Sequence, residues 1–265
     1  MPKTPARTVA SLGALGLRPK PVKAADQLMR QLVDHIIEEK LPEGTRLPPE
    51  GEMVAGTGRG RSTVREALLL LESKGVVEVR QGVAGGPVVR RPRAADLGEL
   101  LTLVLMFEGA SMLDVLEARA DMEAHSTAQA ASRLSAAELE ALQQAVDRQR
   151  ANIENRQLFL TESRTYHANI NEAGGNLVTR VLLEALQNTT HMNSVAIEYS
   201  LSHRQTVVND HQAILDALRA GDAERARELA YRHVTSSARY WKKVAGAQAS
   251  RPVRWSTPLP GPEPR

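Results

Sequence analysis

Helical periodicity runs through more than half of this chain, from about residue 97 to residue 246, and it constrains the fold more than any other feature. Apolar residues recur there at the three- and four-residue spacing of one helix face, and Gly174, Gly175 and Gly221 interrupt the pattern. A segment of this length buries a core of its own, so we expect an all-α domain. The pattern predicts six or seven helices, at about 96–107, 112–132, 135–152, 155–173, 176–198, 203–220 and 222–245.

Two apolar stripes within this segment are assigned to its core, because stripes at helical spacing are more often core than part of a cofactor site. The first lies in the helix predicted at 96–107 and the second in the helix predicted at 176–198. Their members are Leu100, Leu103, Val104 and Phe107 in the first, and Val181, Leu182 and Leu186 in the second.

The preceding segment, residues 23–92, has a different pattern, in which helices come before a short β element. An amphipathic helix is predicted over 23–40 and a short helix through about Ala55. After a glycine-rich turn at 56–60, a further helix begins at about Ser62. We expect this last helix to be the recognition helix of a DNA-binding domain.

A β-hairpin completes this segment, with strands predicted at 76–80 and 87–90 around a flexible wing that contains Gly82. Helix, helix, turn, helix and hairpin are the order of a winged helix-turn-helix domain. The predicted fold class is therefore mainly α: an N-terminal winged helix-turn-helix (α plus a small β-hairpin wing) followed by an all-α helical bundle.

The remaining segments are assigned to linkers and ends. Residues 1–22 are basic and hold four prolines, which predicts a flexible arm, and residues 247–265 hold five prolines, which predicts a disordered tail. The segment Arg90-Arg91-Pro92-Arg93 is a stiff, charged joint. It separates a DNA-binding domain over 23–92 from the all-helical domain over 97–246.

Composition bounds the function classes. The chain of 265 residues has no cysteine, which excludes disulfides, thiolate metal sites and cysteine nucleophiles. No apolar run reaches the roughly 20 residues of a membrane-spanning helix, and we expect a cytoplasmic protein without membrane partners. Residues 1–93 hold 16 Lys and Arg against 10 Asp and Glu, whereas the rest holds 18 against 21. This asymmetry suits a nucleic-acid reader joined to a separate domain.

Side chains that suit DNA cluster at the start of the predicted recognition helix. That end of a helix enters the major groove first, and its free N–H groups and positive dipole favour phosphate. Hydroxyls bond phosphates or base edges, and an arginine binds O6 and N7 of guanine. The candidate residues are Arg59, Arg61, Ser62, Thr63 and Arg65.

Three motifs of the N-terminal segment occur in a fixed order: Leu-Pro-Pro-Glu at 47–50, Arg-Ser-Thr-Val-Arg-Glu-Ala-Leu at 61–68 and Leu-Glu-Ser-Lys-Gly-Val-Val at 71–77. Over about 70 residues this sequence resembles the DNA-binding domain of the GntR family of bacterial regulators. The resemblance implies contacts to DNA from the recognition helix and a wing tip near the minor groove. The residues concerned are Arg61, Thr63, Arg65 and, at the wing tip, Gly82.

The sequence departs from the GntR pattern at two places. Gly51 stands where the family often has an arginine, and Arg59-Gly60 replaces the usual Val-Ser. One contact to DNA is therefore missing unless Arg59 substitutes for it. We interpret Glu66 as a structural partner for an arginine rather than as a base reader.

Three histidines in the predicted bundle, His167, His211 and His233, are the candidate metal ligands. Neutral imidazole is the commonest protein ligand for a divalent metal, and three histidines leave positions open for water or a carboxylate. Spacings of 44 and 22 residues are not a local motif, so scattered core or surface histidines are the alternative.

Several motifs of the helical segment also occur in a fixed order. They are Glu-Ala-Arg at 117–119 with Glu123, Tyr-His at 166–167 before Gly-Gly-Asn at 174–176, Asp-His-Gln-Ala-Ile-Leu at 210–215, Gly-Asp at 221–222, and His233. Together they resemble the FCD ligand-sensing domain of the FadR subfamily over about 145 residues.

The FCD resemblance implies a metal site and an effector site. Many members place an Asp four residues before the first ligand histidine, where Ser163 stands here, while Glu162 lies one step off that face. Two outcomes follow: either a three-histidine site is completed by water or effector, or metal binding is weakened. Zinc and nickel are the candidate metals. The implied effector contacts are Arg119, His167, His211 and His233. His125, His191 and His203 are not assigned as ligands, although His203 is a spare candidate.

Arg119 admits two interpretations. Its match to a cavity arginine of the family implies that it pairs with the carboxylate of a small organic acid. The alternative is a salt bridge to Glu123, four residues later on the same helix face.

Both resemblances together imply a homodimeric transcriptional regulator that reads a pseudo-palindromic operator in double-stranded DNA and is not an enzyme. Effector binding and operator binding are then reciprocally coupled. A histidine-metal hydrolase is one alternative, although no His-Glu-x-x-His motif is present. A protein-interaction module with a vestigial helix-turn-helix is the other.

Overall fold

A computed structural model describes most of the chain, namely residues 24–82, 85–194 and 198–254. The chain divides between Pro92 and Arg93 into two compact units. The arm predicted at 1–22 and the part of the predicted tail from residue 255 onward lie outside the described residues. No helix of the described part is both long enough and apolar enough to span a bilayer.

The N-terminal unit is a winged helix-turn-helix, which confirms the predicted fold class. Apolar side chains of its helices, among them Leu28, Val64 and Leu71, pack with Val77 of the hairpin into one core. The two strands pair antiparallel. The elements are α1 (Ala24–Glu38), α2 (Glu50–Thr57), α3 (Arg61–Ser73), β1 (Val77–Arg80) and β2 (Gly86–Val89).

Glycines shape the turn between α2 and α3. Gly58 has a φ of 65°, a left-handed conformation that other residues rarely adopt, and its N–H donates to the carbonyl of Val54 to end α2. Gly60 is extended, and its carbonyl accepts the N–H groups of Thr63 and Val64 at the start of α3. No side chain caps α3, so its first backbone N–H groups face outward from the turn.

The C-terminal unit is helical throughout. Ser111 and Ser135 each accept the N–H of the residue three positions later, and Asp114 and Glu138 bond back to them. These capping boxes begin two of the helices. The helices are α4 (Ala94–Glu108), α5 (Met112–Ala130), α6 (Ala136–Ala151), α7 (Arg156–Ala173), α8 (Leu177–Ser194), α9 (Leu201–Arg219) and α10 (Ala223–Ala245).

Two buried clusters form the core of this unit. The larger one joins α6, α7, α9 and α10 through side chains such as Leu142, Phe159 and Leu218. The smaller one joins α4, α5 and α10 around Leu116 and Trp241. The functional cavity lies between elements that these two clusters hold in place.

The prediction that the apolar stripes of α4 and α8 are core is wrong for their outer residues. Leu100, Val104 and Phe107 are 58%, 49% and 86% exposed, and Leu182 is 40% exposed. The two helices meet instead through small and hydroxyl-bearing residues. Their core-facing contacts include Gly98 against Ala185 and Asn188, and the hydroxyl of Thr102 bonded to that of Thr189 at 2.9 Å.

The prediction of a disordered tail from residue 247 is wrong for its first part. Residues 246–254, the C-terminal extension, begin with a 3₁₀ turn. The N–H of Val253 then donates to the carbonyl of Ala110 at 2.9 Å, and Pro252 forms a β-bridge with Ser111. Val253 is buried in the cluster of α5 and α10.

Candidate nucleic-acid interface and candidate metal centre

The structure gathers the candidate DNA-binding residues at one end of α3. The side chains of Arg61, Ser62 and Arg65 are exposed there, and those of Arg59 and Thr63 are partly exposed. Because α3 has no side-chain cap, its free N–H groups and positive dipole lie beside these cations and hydroxyls. This end of the helix has the chemistry of an anion-binding surface.

Glu50 organises two of these arginines. Its carboxylate accepts hydrogen bonds from Nε and Nη2 of Arg65 at 3.2 and 3.3 Å, and it lies 3.8 Å from Nε of Arg61. The prediction that Glu66 is the arginine partner is therefore wrong: within the described residues Glu66 has no ion pair. Glu66 lies on the exposed side of α3, whereas Glu50 begins α2 across the turn from both arginines.

The wing bends at Gly82. Its φ of 104° is open to glycine and strained for other residues, and its carbonyl accepts the N–H of Gly85 at 2.8 Å. A turn therefore joins β1 and β2 at this position, where the wing tip is expected.

In the C-terminal unit the structure brings His167, His211 and His233 together from α7, α9 and α10. Their candidate ligand atoms all lie within 4.8 Å of one another, and the Nε2 atoms of His211 and His233 are 3.3 Å apart. Tyr166 fixes one side of the cluster, because its hydroxyl donates to the carbonyl of His211 and its ring stacks on that imidazole.

Each of the three histidines has a polar partner at Nδ1. These partners are Glu123 Oε2 for His167 at 3.2 Å, Gln149 Oε1 for His211 at 2.8 Å, and Asp210 Oδ2 for His233 at 3.3 Å. An acceptor at Nδ1 fixes the tautomer and directs Nε2 toward the centre, as around metals held by histidine. The arrangement therefore leaves the Nε2 atoms for a common ligand.

The protonation states suit metal binding. Burial lowers the pKa of His211 well below its usual value, and the neighbouring His233 and His167 lower it further. Burial also lowers the pKa of His233, although Asp210 opposes the shift. Neutral imidazoles are the form that coordinates a metal.

Arg119 and Glu123 form a buried salt bridge. Nε and Nη2 of Arg119 donate to Oε1 of Glu123 at 3.0 and 2.5 Å, and Nη1 donates to the hydroxyl of Thr190 at 3.2 Å. Burial alone would raise the pKa of Glu123, but Arg119 and His167 outweigh it and hold that pKa far below its usual value. The salt-bridge interpretation of Arg119 is thus correct, yet Arg119 also lines the adjoining cavity.

The adjoining cavity has a volume of about 110 Å³ and is walled by α5, α7, α8, α9 and α10. Its lining holds no Asp or Glu among the described residues. Its polar and charged lining residues are Arg119, Ser163, Arg164, His167, Gln187, Thr190, His191, Tyr199, His203, His233 and Ser237.

Several sequence-based assignments change at this cavity. His211 is fully buried and is not part of the wall, so it supports the histidine cluster and does not contact an effector. His191, which was not assigned as a ligand, lines the cavity, and so does His203, the spare candidate. His203 lies two turns before His211 on α9, and this spacing is the sequence signal that relates it to the cluster. His125 is exposed on α5, away from the cavity.

Ser163 lines the cavity one turn before His167, on the face where the family's Asp is expected. Glu162 does not replace that carboxylate, because it pairs with Nε of Arg148 at 3.0 Å on the outer side of α7. The histidine cluster therefore has no directly facing carboxylate on α7.

Comparison with known protein families identifies both the N-terminal and the C-terminal unit. Residues 24–85 match the model of the bacterial regulatory proteins of the gntR family, and residues 114–236 match the FCD domain. The chain is a gntR-family regulator with an FCD domain. As such it is a DNA-binding transcriptional regulator whose C-terminal domain binds an effector.

Proteins similar to this gntR-family regulator match it over most of their own length. The chain is 26% identical over 245 residues to the HTH-type transcriptional repressor NanR of Cronobacter sakazakii, covering 90% of this chain and 93% of the relative. It is 27% identical to a putative L-lactate dehydrogenase operon regulatory protein of Escherichia coli K12, covering 81% and 85%. Its fold matches Streptococcus agalactiae GntR with a TM-score of 0.66 and 24% identity, covering 82% of this chain and 99% of that one.

The buried carboxylate of Glu123 gives a prediction for stability. Glu123→Gln leaves Arg119 buried without its counter-charge, and we expect a loss of about 3–5 kcal/mol in the free energy of unfolding at pH 7. Because the folded-state pKa is lowered, this contribution is present above the unfolded pKa of about 4.3 and is lost as the pH falls below it. Denaturant unfolding at pH 7 and at pH 3 measures the difference between variant and wild type.

The matched control is Glu162→Gln, which removes a partly exposed carboxylate from its pair with Arg148 and costs at most about 1 kcal/mol. Equal losses in the two variants would show that Glu123 is not the buried electrostatic centre described above.

Proposed function

We propose that this regulator reads a pseudo-palindromic operator in double-stranded DNA as a homodimer, with α3 of each copy in the major groove. The observation that carries the proposal is the pair Arg61 and Arg65, which Glu50 orients side by side at the exposed start of α3. Arginines ordered in this way bind base edges with less loss of side-chain entropy. A regulator of this kind is expected to act in the cytoplasm, where the chromosome is.

The neighbouring residues supply backbone contacts in this proposal. Ser62 and Thr63 bond phosphates together with the free N–H groups of α3, Arg59 replaces the contact that Gly51 lacks, and Gly82 brings the wing close to the minor groove. Phosphate contacts position the domain, and the two arginines read sequence.

The exposed apolar surface of α4 and α8 supports the homodimer. Exposed apolar side chains repeat at helical spacing on α4, and others lie on α8, against which α4 packs. Exposed apolar side chains on two packed helices of a protein mark a protein interface, and an isologous contact pairs this surface with the same surface of a second copy. Its members are Leu97, Leu100, Val104, Phe107, Leu177, Val178 and Leu182.

The histidine cluster is proposed to hold a divalent metal such as zinc or nickel. His167, His211 and His233 would be its protein ligands, oriented by Glu123, Gln149 and Asp210. With Ser163 in place of a carboxylate, an open coordination position remains for water or for the carboxylate of a small organic acid in the cavity.

The same cavity is proposed to bind a small organic acid as effector, and α4 offers a route from it to the DNA-binding domain. Leu116 and Trp241 line the cavity and pack with Leu105 and Met106 of α4. Helix α4 begins directly after the joint at Pro92. Occupying the cavity therefore shifts a helix connected to the DNA-binding domain, and effector and operator affinity become coupled.

Binding rather than hydrolysis is the proposed role of the cluster. Hydrolysis at a histidine-metal site needs a general base beside the open position. Of the two carboxylates that contact the cluster, Asp210 is already paired with Nδ1 of His233, and Glu123 is buried between Arg119 and His167, which hold its pKa far below the usual range. Glu123 is consequently a poor proton acceptor.

Selection of bound sequences from a random pool of duplex DNA tests the proposed function. We expect wild type to enrich a two-fold-related site at near-physiological salt, and Arg61→Ala/Arg65→Ala to enrich none, because each bidentate arginine supplies about 1–3 kcal/mol of discrimination. The control, Arg225→Ala/Arg227→Ala, removes two exposed arginines of α10 and should enrich the same site as wild type. Enrichment of that site by the α3 variant would refute base reading by these residues.

Sedimentation velocity tests the dimer interface. Val104→Glu/Phe107→Glu places two charges in the apolar patch, and we expect a dimer in wild type and a monomer in this variant at micromolar concentration. Ile37→Glu, at another exposed apolar position, should leave the dimer intact. A dimeric double variant would rule out this surface as the interface.

Metal affinity, measured by competition with a chromophoric zinc chelator, tests the candidate metal centre. We expect about one zinc ion per chain, loss of the ion in His211→Ala, and binding roughly 10–100-fold weaker in Asp210→Asn, which removes the negative charge beside Nδ1 of His233. His125→Ala should bind as wild type does. Unchanged affinity in both cluster variants would place any bound zinc elsewhere.

A further inference from the structure

The charges around the effector cavity define its ligand more narrowly than an organic acid in general. The following argument rests on the proposed effector site and deepens it. Two arginines line the cavity, Arg119 and Arg164, and no acidic residue lies in the described lining. Arg119 is paired with a carboxylate inside the protein, whereas Arg164 has no acidic partner among the described residues.

The charge of Arg119 is already balanced inside the protein. Glu123 takes two of its donors, and both side chains are buried, so this pair contributes little net charge to the cavity. An acid at this end meets the remaining N–H groups of Arg119 and the histidine cluster. It is a site for one acidic group.

Arg164 retains its charge for a ligand. Among the described residues it has no acidic partner and no hydrogen bond, and it lies at the cavity wall as an exposed residue. Its field reaches His191 on the same wall: burial lowers the pKa of His191 most, and Arg164 and Arg156 lower it further. This end of the cavity is electropositive and unpaired.

The histidine end and the Arg164 end of the cavity lie close together. Arg164 and His167 are three residues apart on α7 and line the same cavity, which places their Cβ atoms roughly 5–6 Å apart. The volume of about 110 Å³ is below the roughly 150 Å³ of an engineered cavity that accepts benzene. A compact molecule spans both ends.

His203 adds an independent sign of a polar occupant. Its Nε2 atom is buried without a hydrogen-bond partner, and its ring lines the cavity while it stacks on Tyr240 with centroids 3.6 Å apart. A buried polar atom without a partner costs about 1–3 kcal/mol, which a ligand oxygen or hydroxyl in the cavity removes.

We infer that the effector carries two acidic groups on a short carbon chain, one directed to the histidine cluster and Arg119, and the other to Arg164. Ser163 is consistent with this assignment, because it lines the cavity one turn before His167 and is neutral, so no carboxylate at that position offsets the cations. The cavity then balances a dianion better than a monoanion.

The test compares acids of equal carbon number. Malonate, succinate and glutarate are titrated against propionate, butyrate and pentanoate by isothermal calorimetry, on full-length zinc-loaded protein at constant ionic strength. At least one dicarboxylate should bind wild type about tenfold or more tightly than its monocarboxylate counterpart, the scale of one charge-assisted hydrogen bond. Arg164→Gln should reduce this preference to about twofold or less, and Arg164→Lys should retain part of it.

Arg232→Gln is the control, because it removes one exposed positive charge of α10 that is not part of the cavity lining. It should keep the full preference. The inference is overturned if wild type prefers no dicarboxylate, if the preference survives Arg164→Gln, or if Arg232→Gln abolishes it equally. In the first case, equal binding of mono- and dicarboxylates leaves the organic-acid effector intact and removes only the second acid site. Operator selection is independent of all these outcomes.

Discussion

The buried ion pairs of the Glu123 carboxylate connect several parts of the C-terminal unit. The carboxylate is buried, it balances Arg119 on its own helix, and it orients His167 on α7. Arg119 in turn donates to Thr190 of α8. Losing one member of such a network leaves a buried charge or donor unpaired, which costs far more than an exposed ion pair contributes. One buried charge thus determines the position of a helix, the tautomer of a candidate metal ligand and the electrostatics of the adjoining cavity.

The cavity beside Glu123 adjoins the cluster that contains α4, the helix that follows the DNA-binding domain in the chain. Leu116 and Trp241 contact the cavity on one side and the cluster of α4, α5 and the C-terminal extension on the other. Val253 completes that cluster from the end of the chain. Side chains packed this densely transmit a displacement rather than absorb it. In the proposed mechanism, filling the cavity therefore acts on α4, and the reading arginines held by Glu50 are repositioned as a rigid group.

Local patterns predicted the winged helix-turn-helix and the helices of the bundle, because periodicity and glycine turns act over short stretches of chain. The three histidines are far apart in sequence, and only the resemblance to the FCD domain implied that they form one site. What the local patterns missed depends on contacts between distant segments. Periodicity shows that α4 has an apolar face but not whether other helices of the chain bury it. The exposure of Phe107 shows that part of this face is not buried within the chain. Glu50 was missed as the arginine partner because it lies 15 residues before Arg65. Gln149, Asp210 and His203 reach the cluster or its cavity only through the packing of helices.

Operator affinity as a function of occupancy of the histidine cluster tests the central claim most directly. Fluorescence anisotropy would give the dissociation constant of the selected operator for zinc-loaded and chelator-treated protein, with wild type beside His211→Ala and circular dichroism verifying that each remains helical. We expect zinc to change the operator affinity of wild type by about fivefold or more, which is the lower range of allosteric coupling, and to leave that of His211→Ala unchanged. Equal operator affinity of folded wild type with and without zinc would contradict coupling between this centre and DNA.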